Sequence, residues 1–230
     1  MKDHIFEQKH KIISDFTFDE AVVNVFPDMI KRSIPGYDTM ISMTGLLVAK
    51  KLKNKGLAYD LGCSLGASTM AILDQCPGDQ INVIAVDNSK DMIERARKNV
   101  KDQRAQFVLN DVLETDIDSA DAVVGNFILQ FLPQKARRAF LEKIYAGMNA
   151  GAILVISEKV DDSTYIPIHE DWKKDNGYSN LEVEQKRQSL ENVMHVDTES
   201  THLKRFKSVG FSSAQQWFRC LNWASFFMYK

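Results

Sequence analysis

A chain of 230 residues, 44% hydrophobic and 26% charged, carries enough apolar material for one sizeable core, and one α/β domain spanning 1–230 is the simplest partition. The formal net charge of −2 argues against the basic face that nucleic-acid binding requires, and no apolar run approaches the roughly 20 residues of a membrane span. The opening MKDHIFEQKHKIISDF is charged throughout and lacks the apolar stretch of a signal peptide, while Cys63, Cys76 and Cys220 are odd in number and scattered, so a reduced cytoplasmic protein is expected.

Along the chain, 17–33 reads as a helix interrupted at Pro27, Pro35-Gly36 as a turn, and 37–53 as a second helix. Together they form an N-terminal helical cap over about 17–53. Strand and helix then alternate: strands over 57–61, 81–87, 106–110, 121–127 and 152–158, with helices over 66–76, 89–100 and 134–147. That order predicts parallel pairing. Near the end, a helix over 201–209 stops at Gly210, and 215–220 and 223–229 are β-rich segments separated by a very short turn, predicting an antiparallel hairpin. The fold class is therefore α/β, with a doubly wound, mostly parallel seven-stranded sheet. One insertion, about 160–200, is too long for a routine connection. In it, LEVEQKRQSLENVM places Leu181, Gln185, Gln188 and Asn192 on one helical face. The residues alone make Lys186 and Arg187 solvated charges paired with Glu182, Glu184 or Glu191.

The segment YDLGCSLGAST, 59–69, carries the clearest chemistry. A strand that turns sharply into a helix is where α/β proteins seat nucleotide-like ligands, and Gly62 and Gly66 allow close backbone approach, with Asp60 at the strand tip facing the crevice. Ser64 and Ala67 stand where a dinucleotide fingerprint has glycine, which disfavours a pyrophosphate. An S-adenosylmethionine site needs none, and the helix beginning near Gly66 favours a carboxylate. Downstream strand tips repeat the pattern. Asp87 ends INVIAVD and can accept from both ribose hydroxyls. Asp111 after FVLN can accept from an adenine amino group while Val112 packs on the ring, and Asn126 ends AVVGN near the reacting group. A tight turn in an unrelated α/β protein is the competing explanation. Cys63 reads better as a small turn filler than as a nucleophile, and His4, His10, His169, His195 and His202 show no metal-ligand spacing, so no metal is expected.

The blocks FDEAVVNVFPDMIKRSIPGY, YDLGCSLGAST, VDNSKDMIERAR, NFILQFLP, ISEK and NGYSNLEVEQKRQSLENVM resemble the carboxy-S-adenosyl-L-methionine synthases. These are bacterial enzymes of the class I S-adenosylmethionine-dependent methyltransferase type, which supply the carboxymethyl donor for 5-oxyacetyl modification of wobble uridine in tRNA. The likeness runs from about Phe16 to the last strand. It implies that Tyr37, Gly62, Cys63, Ser64, Asp87 and Asn88 hold S-adenosylmethionine and its carboxylated product, together with Asp111, Val112, Asn126 and Arg187. It also implies that Arg187 grips the added carboxylate and that Tyr37 and Arg187 close and charge the reaction site. The implied reaction joins S-adenosylmethionine and prephenate to give carboxy-S-adenosylmethionine and phenylpyruvate, in a homodimer without direct nucleic-acid or membrane contact. The connection from Glu158-Lys159 to Asn176-Gly177 is shorter than in the family, and Asn149-Ala150-Gly151 replaces a commoner Asn-Pro-Gly turn. Two other readings remain. A conventional methyltransferase acting on a small molecule or RNA would share the cofactor residues, although Asn126 is followed by Phe127-Ile128-Leu129 and not by the Asn-Pro-Pro-aromatic motif of amine methylation. A non-catalytic S-adenosylmethionine-binding protein would have no use for Arg187.

Overall fold

In the computed structural model, which describes residues 1–53, 55–78 and 80–230, apolar runs form five parallel strands. They are β1 (Lys55–Leu61), β2 (Gln80–Asp87), β3 (Ala105–Leu109), β4 (Ala120–Asn126) and β5 (Met148–Lys159). The hairpin of β6 (Ser212–Cys220) and β7 (Trp223–Tyr229) adds antiparallel, giving a seven-stranded sheet ordered β3-β2-β1-β4-β5-β7-β6. Val123 and Val124 of β4 and Leu154 and Val155 of β5 are wholly buried, as a parallel sheet covered on both faces demands. Strand order reverses between β1 and β4. At such a switch point the loops leaving the carboxyl ends diverge and open a crevice, here between the Gly62 turn and the Asn126 tip.

Helix α1 (Glu20–Ser33) starts at Asp19, whose carboxylate accepts from the Val22 amide, and it runs unbroken through Pro27, contrary to the interruption expected there. Val22, Val23, Val25 and Met29 pack with Met92 of α4 (Lys90–Asn99), and this burial offsets the hydrogen bond that Pro27 cannot donate. Helices α2 (Tyr37–Leu52), α3 (Ala67–Gln75) and α5 (Arg137–Gly147) complete the layers nearest the parallel strands. No helix among the described residues is long and apolar enough to cross a membrane.

The insertion forms α6 (Ile166–Asp175) and α7 (Asn180–Leu190), the latter opened by a reciprocal Ser179–Glu182 capping box. The buried face of α7 is Glu182, Val183, Gln185, Lys186 and Ser189; Gln188 is exposed and Asn192 lies beyond the helix, so the face read from 181, 185, 188 and 192 is corrected. The cause is the first stretch of the chain, which crosses α7 and buries polar groups with partners. Gln185 Nε2 donates to the Phe6 and Gln8 carbonyls, and the Phe16 amide donates to the Ser189 carbonyl at 2.8 Å. Asp3 is 2% exposed and accepts from the Tyr178 hydroxyl at 2.6 Å.

Helix α8 (Glu199–Val209) buries His202 against Phe206 and Phe226 with neither ring nitrogen bonded among the described residues. Burial pushes this imidazole down to about 4, Arg205 and Arg137 adding and Asp197 opposing. The ring is thus neutral in the fold, while the unfolded chain takes up its proton near the ordinary 6.5, so stability present above 6.5 is lost as pH falls towards 4. His202→Leu is expected to stabilise by about 1 kcal/mol at neutral pH, because two buried unpaired atoms disappear, and by more at mildly acidic pH. Thermal melts at both pH values check this; an equal gain at the two would contradict the titration argument.

Candidate active site

The Gly62 turn is held by two amides, Gly62 and Cys63, that donate to the Val86 carbonyl at 2.8 and 2.9 Å. Gly62 has φ +75°, and a Cβ there would stand 2.9 Å from Ile128 Cδ1, so a side chain would be strained and glycine is favoured. Ser64 also adopts a positive φ of 51°, which aims its amide at Asp87 Oδ2, 2.9 Å away. Gly62, Cys63 and Ser64 all line one cavity of about 890 Å³. Burial, with Asp60 and Asp87 nearby, pushes the Cys63 thiol well up, which suits a turn filler and not a thiolate nucleophile.

Asp87 and Asn88 enter the same cavity from the tip of β2. The Asp87 carboxylate is fixed from both sides, by Ser64 N–H and by Ser89 N–H at 2.9 Å, leaving its remaining lone pairs for a ligand. Burial raises its pKa and the two amides oppose that. Beyond β3, Asp111 accepts from the Leu113 amide at 2.8 Å, and buried Val112 offers an apolar wall. Asn126 donates through Nδ2 to Ser68 Oγ at 3.0 Å, while its Oδ1 is buried with no partner among the described residues. An orphaned acceptor inside a cavity costs about 1–3 kcal/mol and marks a place where a ligand donor belongs.

Two expected residues stand behind the wall. Asp60 is 1% exposed and accepts from the Thr69 hydroxyl at 2.6 Å, so it ties the strand tip to the first turn of α3 and does not face the crevice. Burial pushes it up to about 6, Asp87 adding and the Thr69 hydrogen bonds opposing. Gly66, with φ +85°, caps α3 and turns towards Phe107; Ala67 and Ser68 of the first helical turn reach the cavity instead.

The other end of the cavity is aromatic and cationic. Tyr37, at the start of α2, stacks on Phe127 with centroids 6.1 Å apart, and Phe127 meets Trp223 edge-on at 5.5 Å. Phe127 holds a positive φ of 62°, fixed by its amide donating to the Ser157 carbonyl at 2.6 Å; strain of this kind persists where surrounding contacts impose it. Burial, Asp60 and Asp38 raise the Tyr37 phenol, which is protonated at neutral pH. Lys159, Lys173, Lys186 and His169 also line this end. Arg187 does not. It is exposed on the outer side of α7, in a separate hollow of about 160 Å³ with Glu170, Lys174 and Glu184. One helical step separates it from Lys186, which faces inward and donates to Ser33 Oγ at 2.9 Å. Reading the adjacent pair as solvated charges therefore holds for Arg187 within one chain and fails for Lys186. The inward lysines, His169 and Trp223 carried no sequence signal beyond the ISEK block and the basic pair, since only the packing of α6 and α7 against Ser33 at the end of α1, with His169 meeting Trp223 of β7, brings them together.

The family described as "Methyltransferase domain" is matched over residues 58–151, the stretch that builds β1 to the start of β5. Full-length similarity decides the narrower assignment. A carboxy-S-adenosyl-L-methionine synthase of Vibrio vulnificus is 46% identical over 99% of this chain and 97% of its own length, and one of Pseudoalteromonas translucida is 43% identical over 98% and 97%. The chain belongs to the carboxy-S-adenosyl-L-methionine synthase family. Its fold is shared more widely: an O-methyltransferase family protein from Burkholderia thailandensis superposes with TM-score 0.68 at 14% identity, covering 93% of this chain and 60% of that one. The magnesium protoporphyrin IX methyltransferase of Synechocystis gives 0.63 at 14% identity, covering 88% and 87%.

The residues present fit the S-adenosylmethionine that a carboxy-S-adenosyl-L-methionine synthase carboxylates. The fixed Asp87 carboxylate matches a diol, Val112 matches an adenine face, and the orphan Asn126 Oδ1 matches an ammonium or amide donor. Among the described residues no group of His, Cys, Asp and Glu is arranged to hold a metal ion.

Proposed function

We propose that this enzyme converts S-adenosyl-L-methionine and prephenate into carboxy-S-adenosyl-L-methionine and phenylpyruvate, in the cytoplasm, supplying the carboxymethyl donor for wobble uridine modification in tRNA. The observation that carries this reading is one cavity with acids at its adenosyl end and cations with aromatic rings at the other. S-adenosylmethionine brings a methyl group acidified by its sulfonium. Atoms balance without an added reagent: the ring carboxyl of prephenate leaves its carbon and bonds to that methyl carbon, the ring hydroxyl departs, and the displaced methyl proton leaves with it as water. The ring that remains is aromatic.

The chain's part is to bind, orient and exclude solvent. Asp87 takes the ribose, assisted by Asn88; Asp111 and Val112 take the adenine; Gly62, Cys63, Ser64 and Asn126 border the amino-acid portion. Asp60 and Gly66 act from behind, by shaping the turn. Tyr37 closes the site as a neutral phenol stacked on Phe127, which keeps water from the reacting methyl. Residues 1–230 work as one catalytic unit, since the helical cap and the insertion both supply walls of the cavity. Arg187 meets the added carboxylate from a second copy of the chain, in a homodimer. Its exposure on α7, and the exposed Ile166 and Ile168 on α6, support a partner surface on the insertion.

Mass analysis of the ligand carried through purification tests the reaction. Carboxy-S-adenosylmethionine is the expected species. S-adenosylhomocysteine alone, with no consumption of prephenate, would favour a conventional methyltransferase.

A further inference from the structure

The insertion has a use that its length alone does not disclose. Lys173 on α6 and Lys186 on α7 project into the same cavity as Lys159, which stands at the end of β5. Lys186 already has partners: besides Ser33 it stands 4.0 Å from the carboxylate of buried Asp3. Lys159 and Lys173 differ. Among the described residues neither has a carboxylate within 4.0 Å; Glu170, which lines the outer hollow with Arg187, acts on both from farther off, and Asp161 acts on Lys159. Two largely desolvated ammonium groups without counter-ions are costly unless an anion arrives. Burial pushes Lys173 down to about 8, Lys159 adding to the effect, and burial likewise lowers Lys159. His169 adds no charge at neutral pH, since burial holds it near 3, with Lys173 adding to the effect and the Ser33 carbonyl, 2.8 Å away, opposing it.

The chemistry opposite these lysines narrows the ligand. Phe127 and Trp223, with Tyr37, form an apolar wall suited to a six-membered unsaturated ring. A ring bearing carboxylates is what such a wall and two free cations select, whereas a neutral methyl acceptor would leave the cations unpaired. Resting on the reaction proposed above, we propose that Lys159 and Lys173 form the subsite that binds the carboxylates of prephenate, with its ring against the Tyr37–Phe127–Trp223 wall. Charge in this subsite opposes that of the adenosyl end, so the two substrates are sorted by sign.

The Lys159→Gln/Lys173→Gln variant of the full chain tests this, with Lys159→Arg/Lys173→Arg as the conservative pair. At saturating S-adenosylmethionine the glutamine pair is expected to raise KM for prephenate at least tenfold, with the Kd for S-adenosylmethionine within twofold of wild type. The arginine pair is expected to restore much of the loss. Melting temperature should not fall, because two half-buried ammonium groups with no carboxylate close by are removed. Calorimetric titration with phenylpyruvate supplies a readout that needs no turnover: wild type binds it and the glutamine pair does not. Unchanged KM for prephenate in a turning-over enzyme would overturn the subsite and leave the reaction standing. Equal loss for S-adenosylmethionine would also overturn it. Lysine-dependent binding of phenylpyruvate by a wild-type protein that never turns prephenate over would sink the reaction and keep the subsite; neither binding nor turnover would sink both.

Discussion

Asp87→Ala is expected to weaken S-adenosylmethionine binding about a hundredfold, close to 3 kcal/mol. A carboxylate accepting from two ribose hydroxyls contributes charge-assisted bonds of roughly 1.5–3 kcal/mol each, and part of the loss is returned because the variant no longer desolvates a charge. The same substitution frees the Ser64 and Ser89 amides, so it also loosens the turn that places Gly62 and Cys63. Asp87→Asn keeps one acceptor and should fall between the two. Calorimetric titration of each variant gives the comparison; a loss below about fivefold for alanine would remove Asp87 from the proposed ribose contact.

Arg137→Met should lower the melting temperature by roughly 10 °C, corresponding to about 3–5 kcal/mol for breaking a buried ion pair. The guanidinium is fully buried and fork-bonded: Nε donates to the Leu132 carbonyl at 3.1 Å, Nη2 to the His195 carbonyl at 2.6 Å and Nη1 to Asp197 Oδ2 at 2.5 Å. It joins the chain leaving β4 to the end of the insertion. Methionine fills similar volume but leaves both carbonyls without their donor and Asp197 with Arg205 as its remaining cation. It also removes a cation that acts on fully buried Glu158, which burial raises to about 8 while the Leu129 and Gln130 amides hold it down. A change under about 1 kcal/mol in thermal or chemical unfolding would contradict the anchoring role.

The parts of this fold that the residue pattern revealed are those set by short-range rules. Val123 and Val124 belong to a continuous apolar run because their strand is covered on both faces, and Gly62 stands out because a positive φ beside Ile128 strongly favours a residue without a Cβ. The seven strands, their parallel and antiparallel pairings, and the cavity positions of Asp87, Asp111 and Asn126 follow from the same rules. What depends on long-range packing stayed hidden. Asp60 and Asp87 look alike as acids at strand tips, yet one turns back to Thr69 and the other into the cavity. Lys186 and Arg187 are neighbours of like charge, and the rotation of about 100° per helical residue sends one inward and the other outward. Nothing local distinguishes them; the crossing of the first residues over Gln185 and Ser189 fixes that orientation. Buried Asp3, the partner of Tyr178 and neighbour of Lys186, lies in a stretch whose charged composition gives no sign of burial.

The central claim, carboxyl transfer between two substrates held in one cavity, is tested most directly with prephenate labelled by carbon-13 in its ring carboxyl group. Incubation with the enzyme and S-adenosylmethionine should give carboxy-S-adenosylmethionine heavier by the mass of the label, together with unlabelled phenylpyruvate in equal amount. Label recovered only as bicarbonate, with S-adenosylmethionine left intact or converted to S-adenosylhomocysteine, would contradict it.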